Sequence, residues 1–342
     1  MLSYVIVGSG YRAMYFGRIA QTWPDLFRAL YLCRSEEKAA KMKQGTGVDA
    51  VLTPEAAEAF RPDFVVIAVD RGHVADVAEE WIARGYPVVT ETPVADTEEK
   101  LNRLLRLAAQ GARIVCCEQY HRYPILAAGL EAVRQGLIGV PRTAYISLMH
   151  DYHAASLIRR SLLTGRESSV LQAVRRISPA VETDSRYGAI LDGRVTDEVR
   201  DLALVSFESG KTAVYDFASL QYRSYIRARH ITVRGDRGEW SDTVLYRLDE
   251  NNRPVRQALM PELPDRYRLL DTQYLRDLRK AWRPELFLDT LQDEYAIATI
   301  LLDMEEYLSG GPSPYPLWEA AEDARFWLRL QRAAAEANES GK

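Results

Sequence analysis

Lysine is scarce in this chain. Lys38, Lys41, Lys43, Lys100, Lys211, Lys280 and Lys342 are the only ones in 342 residues, although Lys and Arg together number 44. Arginine keeps its proton and is a poor proton acceptor, so few side chains here can exchange a proton as a lysine does. Cysteine is scarcer still. Cys33, Cys116 and Cys117 are odd in number, two are adjacent, and none stands in a C-x-x-C or zinc spacing. A disulfide framework is excluded, and a reduced compartment is expected. No apolar run approaches the ~20 residues of a membrane span. The opening "MLSYVIVGSG" runs directly into a strand pattern and leaves no room for a signal peptide. The expected location is the cytoplasm. Net charge is −4, which argues against nucleic acid or an acidic membrane as partner. Repeats and low-complexity segments are absent.

What is present is an ordinary globular composition, 47% hydrophobic and 27% charged, in a chain long enough for about two domains. Up to residue 120, apolar runs alternate with helical patterns. The runs are "YVIVGS" (4–9), "ALYLCR" (29–34), "DFVVIAV" (63–69), "PVVTE" (87–91) and "RIVCCEQY" (113–120). Between them, "MYFGRIAQTW", "SEEKAAKMKQG", "VADVAEEWIARG" and "DTEEKLNRLLRLAAQG" have helical spacing. Ser35 and either Asp96 or Thr97 serve as caps, and Gly111 as a stop. Strands apolar on both faces, joined by helices, predict βαβ units and a parallel sheet covered on both sides.

After Pro124 the pattern changes. A helix, "ILAAGLEAVRQGLIG", leads to the strand "RTAYISLMH" (142–150) and the helix "AASLIRRSLLTG". From 170 to 248, "LALVSFES", "KTAVYDFASLQY" and "RARHITVRGDRGEW" alternate at period two and predict an antiparallel sheet with one face on helices. "LWEAAEDARFWLRLQRAAAEA" (317–337) predicts a long amphipathic helix.

"VIVGSGYRA" follows the first strand and opens a helix. Gly8-x-Gly10-x-x-Ala13 is a dinucleotide fingerprint. Gly8 permits the tight turn, Gly10 lets backbone approach a pyrophosphate, and Ala13 lets helix pack on strand. Ser9, Tyr11 and Arg12 complete the loop, and the anion sits on the helix N-terminus. The end of the second strand selects the cofactor. An NAD site usually carries Asp or Glu there for the ribose 2′-hydroxyl. Here Cys33 holds that place, followed by Arg34 and Ser35. A guanidinium beside a hydroxyl suits a 2′-phosphate, so NADP is favoured over NAD. The alternative is a solvated Arg34 and an NAD enzyme.

Four further stretches fall in order behind this loop: "VVIAVDRGH" (65–73), "VVTETP" (88–93), "EQYHRYP" (118–124) and "AVRQGLIGVPRTAYI" (132–146). Together they resemble the glucose-fructose oxidoreductase / inositol dehydrogenase / rhizopine catabolism (Gfo/Idh/MocA) family. The likeness is strong over residues 1–165 and one of pattern only over 200–335. It implies an α/β fold: a Rossmann dinucleotide-binding domain at 1–122, then a second α+β domain at 123–337 with a large open, mostly antiparallel sheet. That sheet packs against a partner in the family, giving a homodimer or homotetramer. Members move a hydride between nicotinamide and a hydroxyl-bearing carbon of a sugar, cyclitol or related polyol. The resemblance places Ala68, Val69, Asp70 and His73 on the cofactor side, with Glu91, Thr92 and Pro93 at a corner near the nicotinamide.

The chain departs from the family at that corner. The usual motif is E-K-P, whose lysine helps handle the proton; here it is Glu91-Thr92-Pro93. Threonine exchanges hydrogen bonds but is no base at neutral pH. None of the seven lysines stands in a motif that replaces the missing one. Lys100 lies about two turns along the next helix. Pro93 is open to a cis bond. The family's second element is Asp-x-x-x-His at a helix start. In "MHDYHAASLIRRSLLTG", His153 matches the histidine, but Met149 stands at the aspartate's place. In an extended segment Asp151 and His153 share one face, so Asp151 is expected to orient His153 as an acid/base pair. The plainer alternative is a helix-start histidine with Asp151 as N-cap. Arg122 matches a family arginine and either binds substrate or forms a salt bridge. Tyr120, His121 and Tyr152 are candidate substrate contacts. "HDYH" with Glu118 has no metal-ligand spacing, and no metal is expected. Residues 166–200 are expected to shape the substrate pocket.

The expected function is an NAD(P)-dependent oxidoreductase acting on CH–OH groups, with His153, Asp151 and Thr92 catalytic. Loss of both lysine and aspartate leaves two alternatives open. One is a non-catalytic NAD(P)-binding sensor or regulator on the same fold. The other is a redox-neutral lyase or glycosidase with tightly held NAD.

Overall fold

The structure, a computed structural model, describes residues 1–185, 188–260, 264–271 and 290–339. They form two compact units. Residues 1–123, 264–271 and 290–324 make the first, and residues 124–260 and 325–339 the second.

The first unit opens with β1 (Leu2–Val7), α1 (Tyr11–Thr22), β2 (Phe27–Leu32), α2 (Glu36–Thr46), β3 (Ala50–Val51) and α3 (Pro54–Glu58). It continues with β4 (Phe64–Ile67), α4 (Val74–Ala83), β5 (Val88–Thr90), α5 (Glu98–Ala109) and β6 (Ile114–Cys116). The six strands form one parallel sheet in the order β3-β2-β1-β4-β5-β6. Leu2 to Val7 align with Phe27 to Leu32 on one side, and Tyr4 to Val7 with Phe64 to Ile67 on the other. The chain order reverses at β1, so a crevice opens beyond its carboxyl end. The sheet is buried on both faces, as its apolar runs predict; Tyr4, Val5, Ile6 and Phe64 to Ile67 are fully buried. Tyr4 and Tyr31 keep their rings in this core by donating their hydroxyls to α1 carbonyls, of Phe16 at 2.8 Å and Ala13 at 3.0 Å. Ser35 caps α2 and Thr97 caps α5, accepting from the amides of Lys38 and Lys100, which decides between Asp96 and Thr97. The excursion through β3 and α3 was not expected; two and five residues are too short to show a period.

The second unit holds α6 (Pro124–Arg134), β7 (Pro141–Ser147), α7 (Asp151–Leu162), β8 (Ser169–Val181), β9 (Asp184–Ser185) and β10 (Gly188–Ala189). After these come β11 (Val195–Phe207), β12 (Thr212–Ala218), β13 (His230–Gly235), β14 (Gly238–Ser241), β15 (Val244–Leu248) and β16 (Pro254–Ala258). Eight strands form a sheet in the order β16-β15-β14-β13-β7-β12-β11-β8, antiparallel except where β12 runs parallel to β7. β8 and β11 pair continuously from Ser169↔Phe207 to Val181↔Val195. Residues 166–200, expected to shape a pocket, supply the edge strand, the small β9–β10 pair and the start of β11. Trp240 of β14 is fully buried against α6 at Gly129, where a Cβ would fall 2.1 Å from the indole.

Two helices close the chain, α8 (Thr290–Leu308) and α9 (Leu317–Glu339). All of α8 belongs to the first unit, whereas α9 begins there and continues in the second from residue 325. The sequence predicts a second domain over residues 123–337. The fold instead returns residues 264–271 and 290–324 to the first, because Arg122 and α1 both find their ion-pair partners on α8. Among the described residues no helix is long and apolar enough to cross a membrane.

Candidate cofactor site and active-site residues

β1 ends at Val7, and Gly8, Ser9 and Gly10 lead into α1. Gly8 has φ +135, and a Cβ there would lie 2.2 Å from the Ala68 carbonyl oxygen. Only glycine makes this turn. Gly10 is the N-cap of α1, with no side-chain cap hydrogen bond, and a Cβ on it would meet nothing within 4 Å. An open space beside a helix N-terminus, at the point where strand order reverses, fits the pyrophosphate of a dinucleotide. Ala13 is fully buried against the sheet. The Tyr11 hydroxyl lies 2.9 Å from that of Tyr15.

At the end of β2, Cys33 is buried; burial pushes its thiol up, against the pull of Lys38, so no carboxylate or thiolate meets a ribose there. Arg34 is exposed and makes no hydrogen bond or ion pair among the described residues. Ser35 is engaged as the α2 cap. After β4, Ala68 is buried and Val69 half-buried. Asp70 accepts from the Gly72 amide at 3.1 Å and caps a single turn, Arg71–His73, whose His73 is exposed.

The corner after β5 contains a cis Thr92–Pro93 bond. Pro93 is buried, and the half-buried Thr92 hydroxyl makes no hydrogen bond among the described residues. Glu91 is buried. Its Oε1 accepts from Arg12 Nε at 3.1 Å and lies 3.0 Å from Arg12 Nη2. Arg12 Nη1 reaches Asp293 Oδ2 on α8 at 2.6 Å. The other Asp293 oxygen accepts from Gln119 Nε2 at 2.8 Å and the Tyr123 hydroxyl at 2.9 Å. Burial pushes the Glu91 carboxyl above the usual carboxylate range, and Arg12 pulls it partly back. Burial alone would lower the Arg12 pKa, but Glu91 and Asp293 reverse this and hold it well above its ordinary value. Lys100 does not stand in for the missing lysine. Its Nζ donates to the Gly72 carbonyl at 2.5 Å and to Asp96 at 3.0 Å.

Arg122 is committed inside the first unit. Its Nη1 donates to Asp303 at 2.7 Å and the Tyr267 hydroxyl at 2.8 Å, and its Nη2 to the Pro314 carbonyl at 2.9 Å. Of its two readings, the geometry matches the salt bridge. Tyr120 is buried with its ring 5.0 Å from that of Tyr123. His121 accepts from Arg122 Nε at 3.3 Å and lies 5.3 Å from the Tyr315 ring.

In the second unit the chain turns helical at Asp151, so the extended-chain pairing of Asp151 with His153 does not hold. Residues two apart on a helix point about 200° apart. The Asp151 carboxylate lies instead 3.4 Å from Nδ1 of His150, the N-cap of α7. Asp151 has φ +47, a left-handed value, and its amide donates to the Tyr215 hydroxyl at 3.1 Å. His153 is buried, with ring neighbours His150 at 5.0 Å and Tyr152 at 4.5 Å. Tyr222 and Phe217 complete the cluster around His150, at 5.1 Å and 6.1 Å. Asp151 is thus neither the N-cap nor the partner expected of it. Among the described residues no group of three or more His, Cys, Asp or Glu is placed to hold a metal.

His150, Gln119, Tyr123 and Asp293 were not among the sequence-based candidates. The signal available for Asp293 was "QDE" at the head of an apolar run, since buried acids need partners.

No curated protein matches the chain by sequence. Solved structures match its fold over nearly the whole length. Levoglucosan dehydrogenase in complex with NADH and levoglucosan has a TM-score of 0.71 at 16% identity, covering 98% of both chains. A putative myo-inositol dehydrogenase from Sinorhizobium meliloti has a TM-score of 0.65 at 15% identity, with 98% of both covered. Biliverdin reductase from Synechocystis, in complex with biliverdin and NADP+, has a TM-score of 0.64 at 17% identity, with 98% of this chain and 99% of that one covered. At such identities the likeness is one of fold. Residues 2–119 match the model of the oxidoreductase family with an NAD-binding Rossmann fold. Glycine loop, strand order and family match agree that residues 2–119 form an NAD-binding Rossmann domain similar to that of the Gfo/Idh/MocA oxidoreductases.

Proposed function

We propose that the chain is an NADP-dependent oxidoreductase acting on a hydroxyl-bearing carbon of a sugar, cyclitol or related polyol. The observation that carries this reading is the cradle at Gly8 and Gly10, with Arg34 exposed at the end of the neighbouring strand. A bound nicotinamide supplies or accepts the hydride. Amides of Ser9, Gly10, Tyr11 and Arg12 hold the pyrophosphate, and Arg34 pairs with the 2′-phosphate. Ala68, Val69, Asp70 and His73 border the cofactor on the β4 side. Thr92 donates a hydrogen bond at its corner, and His153 carries the proton, with His150 as the imidazole that Asp151 orients. Tyr120, His121 and Tyr152 are proposed substrate contacts. Support for a polyol comes from the levoglucosan and myo-inositol dehydrogenases that share the fold.

Cofactor choice has a direct test. Arg34→Ala is expected to weaken NADPH relative to NADH by about tenfold or more, the worth of a charge-assisted contact. Fluorescence titration with both cofactors checks it, and an unchanged ratio sinks the NADP assignment.

Self-association through the large sheet, as homodimer or homotetramer, is supported by exposed Val170, Val174 and Leu204 on β8 and β11. Sedimentation velocity tests this, and a monomer contradicts it.

One observation favours a second reading. Thr92 is no base, and Lys100 is held by Gly72 and Asp96. A sensor or regulator needs no base at that corner. A redox-neutral lyase or glycosidase with tightly held NAD would show no net change in nicotinamide absorbance.

A further inference from the structure

A cation does stand at the Glu91-Thr92-Pro93 corner, but it comes from the glycine loop. Arg12 leaves the first turn of α1, two residues after Gly10, and contacts Glu91 Oε1 through both Nε and Nη2, at 3.1 Å and 3.0 Å. Its Nη1 is fixed by Asp293 at 2.6 Å. One side chain therefore joins the turn that receives the pyrophosphate to the residue preceding Thr92. We propose that Arg12 is a positioning residue of the cofactor site, whose pairing with Glu91 locks Thr92 and the first turn of α1 into one arrangement. The inference rests on the dinucleotide reading above.

A cation in the first turn of a helix opposes the helix dipole and competes with the anion that the turn attracts. Here that cost is offset by carboxylates from two other elements, Glu91 after β5 and Asp293 on α8. Asp293 is in turn held by Gln119 and Tyr123. With both carboxylates ionised the trio carries a formal charge of −1, so the guanidinium is neutralised without being released toward the phosphates. Besides Arg12, the groups facing Glu91 are Asp293, the buried thiols Cys116 and Cys117, and the Thr92 amide. Burial and Asp293 push the Glu91 carboxyl up, and Arg12 opposes them. Without Arg12 the carboxyl takes up a proton at higher pH, and the corner loses its tie to α1.

The test is NADPH fluorescence titration of the purified full chain across the neutral pH range, in wild type, Arg12→Met, Arg12→Lys and Glu91→Gln. Arg12→Met is expected to weaken NADPH by about tenfold, the scale seen when a supporting contact behind a ligand is removed. Arg12→Lys recovers most of that loss. A pH step in affinity stands at higher pH in Arg12→Met than in wild type and is absent in Glu91→Gln. A purely structural role predicts lower thermal stability with no movement of that step. If Arg12→Met and wild type share affinity and pH profile, the inference is overturned. Should Arg12→Met fail to fold, the near-isosteric Glu91→Gln carries the test, and a profile identical to wild type overturns the inference. Wild type that binds neither NADPH nor NADH sinks the dinucleotide reading itself. Wild type that binds while Arg12→Met is indifferent sinks only the role of Arg12.

Discussion

Asp293→Ala is expected to destabilise the first unit by about 3–5 kcal/mol, the cost of removing one partner from a buried charge pair. Asp293 is the meeting point of three donors: Arg12 Nη1, Gln119 Nε2 and the Tyr123 hydroxyl. Truncation leaves all three inside the fold without their acceptor, and each forfeits hydrogen bonds that water cannot replace. Arg12 then has Glu91 alone to balance it. Asp293→Asn isolates the charge. It keeps a carbonyl acceptor and the side-chain shape, so its loss is expected to be about 1.5–3 kcal/mol, the range for hydrogen bonds to a charged group. Denaturant unfolding followed by intrinsic fluorescence measures both. Equal losses for Ala and Asn would show that charge carries the whole effect. No loss for Ala would show that the network does not support the unit.

Gly8→Ala is expected to cost about 3 kcal/mol or more and to abolish dinucleotide binding. The added Cβ would lie 2.2 Å from the Ala68 carbonyl oxygen and 2.8 Å from its carbon, at a φ of +135 that L side chains rarely adopt. Those neighbours are backbone atoms following β4 and cannot swing aside. Gly10→Ala is the matched comparison. Its Cβ meets nothing within 4 Å and its φ is −87, so stability should stay within about 1 kcal/mol of wild type. Binding should nevertheless fall, because the methyl enters the space assigned to the pyrophosphate. Thermal unfolding and NADPH titration of both variants give two independent readouts. A stable, cofactor-binding Gly8→Ala would contradict the turn geometry. A Gly10→Ala that binds normally would place the phosphates elsewhere.

The first sheet was legible because parallel strands buried on both faces leave continuous apolar runs, and their helices carry caps such as Ser35 and Thr97. The second sheet was legible through its period-two alternation. Helix α8 left no comparable trace. Gln292 through Leu301 are all buried, so the segment has no polar stripe to set its period. Its acids Asp293 and Glu294 find their partners, Arg12 and Arg18, at the other end of the chain, where no local pattern shows them. The candidate site divides in the same way. Gly8 and Gly10 could be named from the local G-x-G-x-x-A pattern between strand and helix, although the Ala68 carbonyl that leaves no room for a Cβ at Gly8 follows β4. Arg12 could be named but not understood, since its partners lie at positions 91 and 293. The sequence pairs Asp151 with His153 because it starts the helix at Ala154, whereas α7 begins three residues earlier, at Asp151. The segment was treated as extended where it is helical, and His150 rather than His153 received the carboxylate.

The central claim is that a chain without the corner lysine still moves a hydride. Nicotinamide absorbance at 340 nm, followed over a panel of polyols with NADP and of keto-sugars with NADPH, tests it most directly. The account predicts turnover on at least one panel member, lost in His153→Ala while cofactor binding persists. Cofactor binding with no absorbance change on any substrate would contradict it and favour the sensor or the redox-neutral lyase.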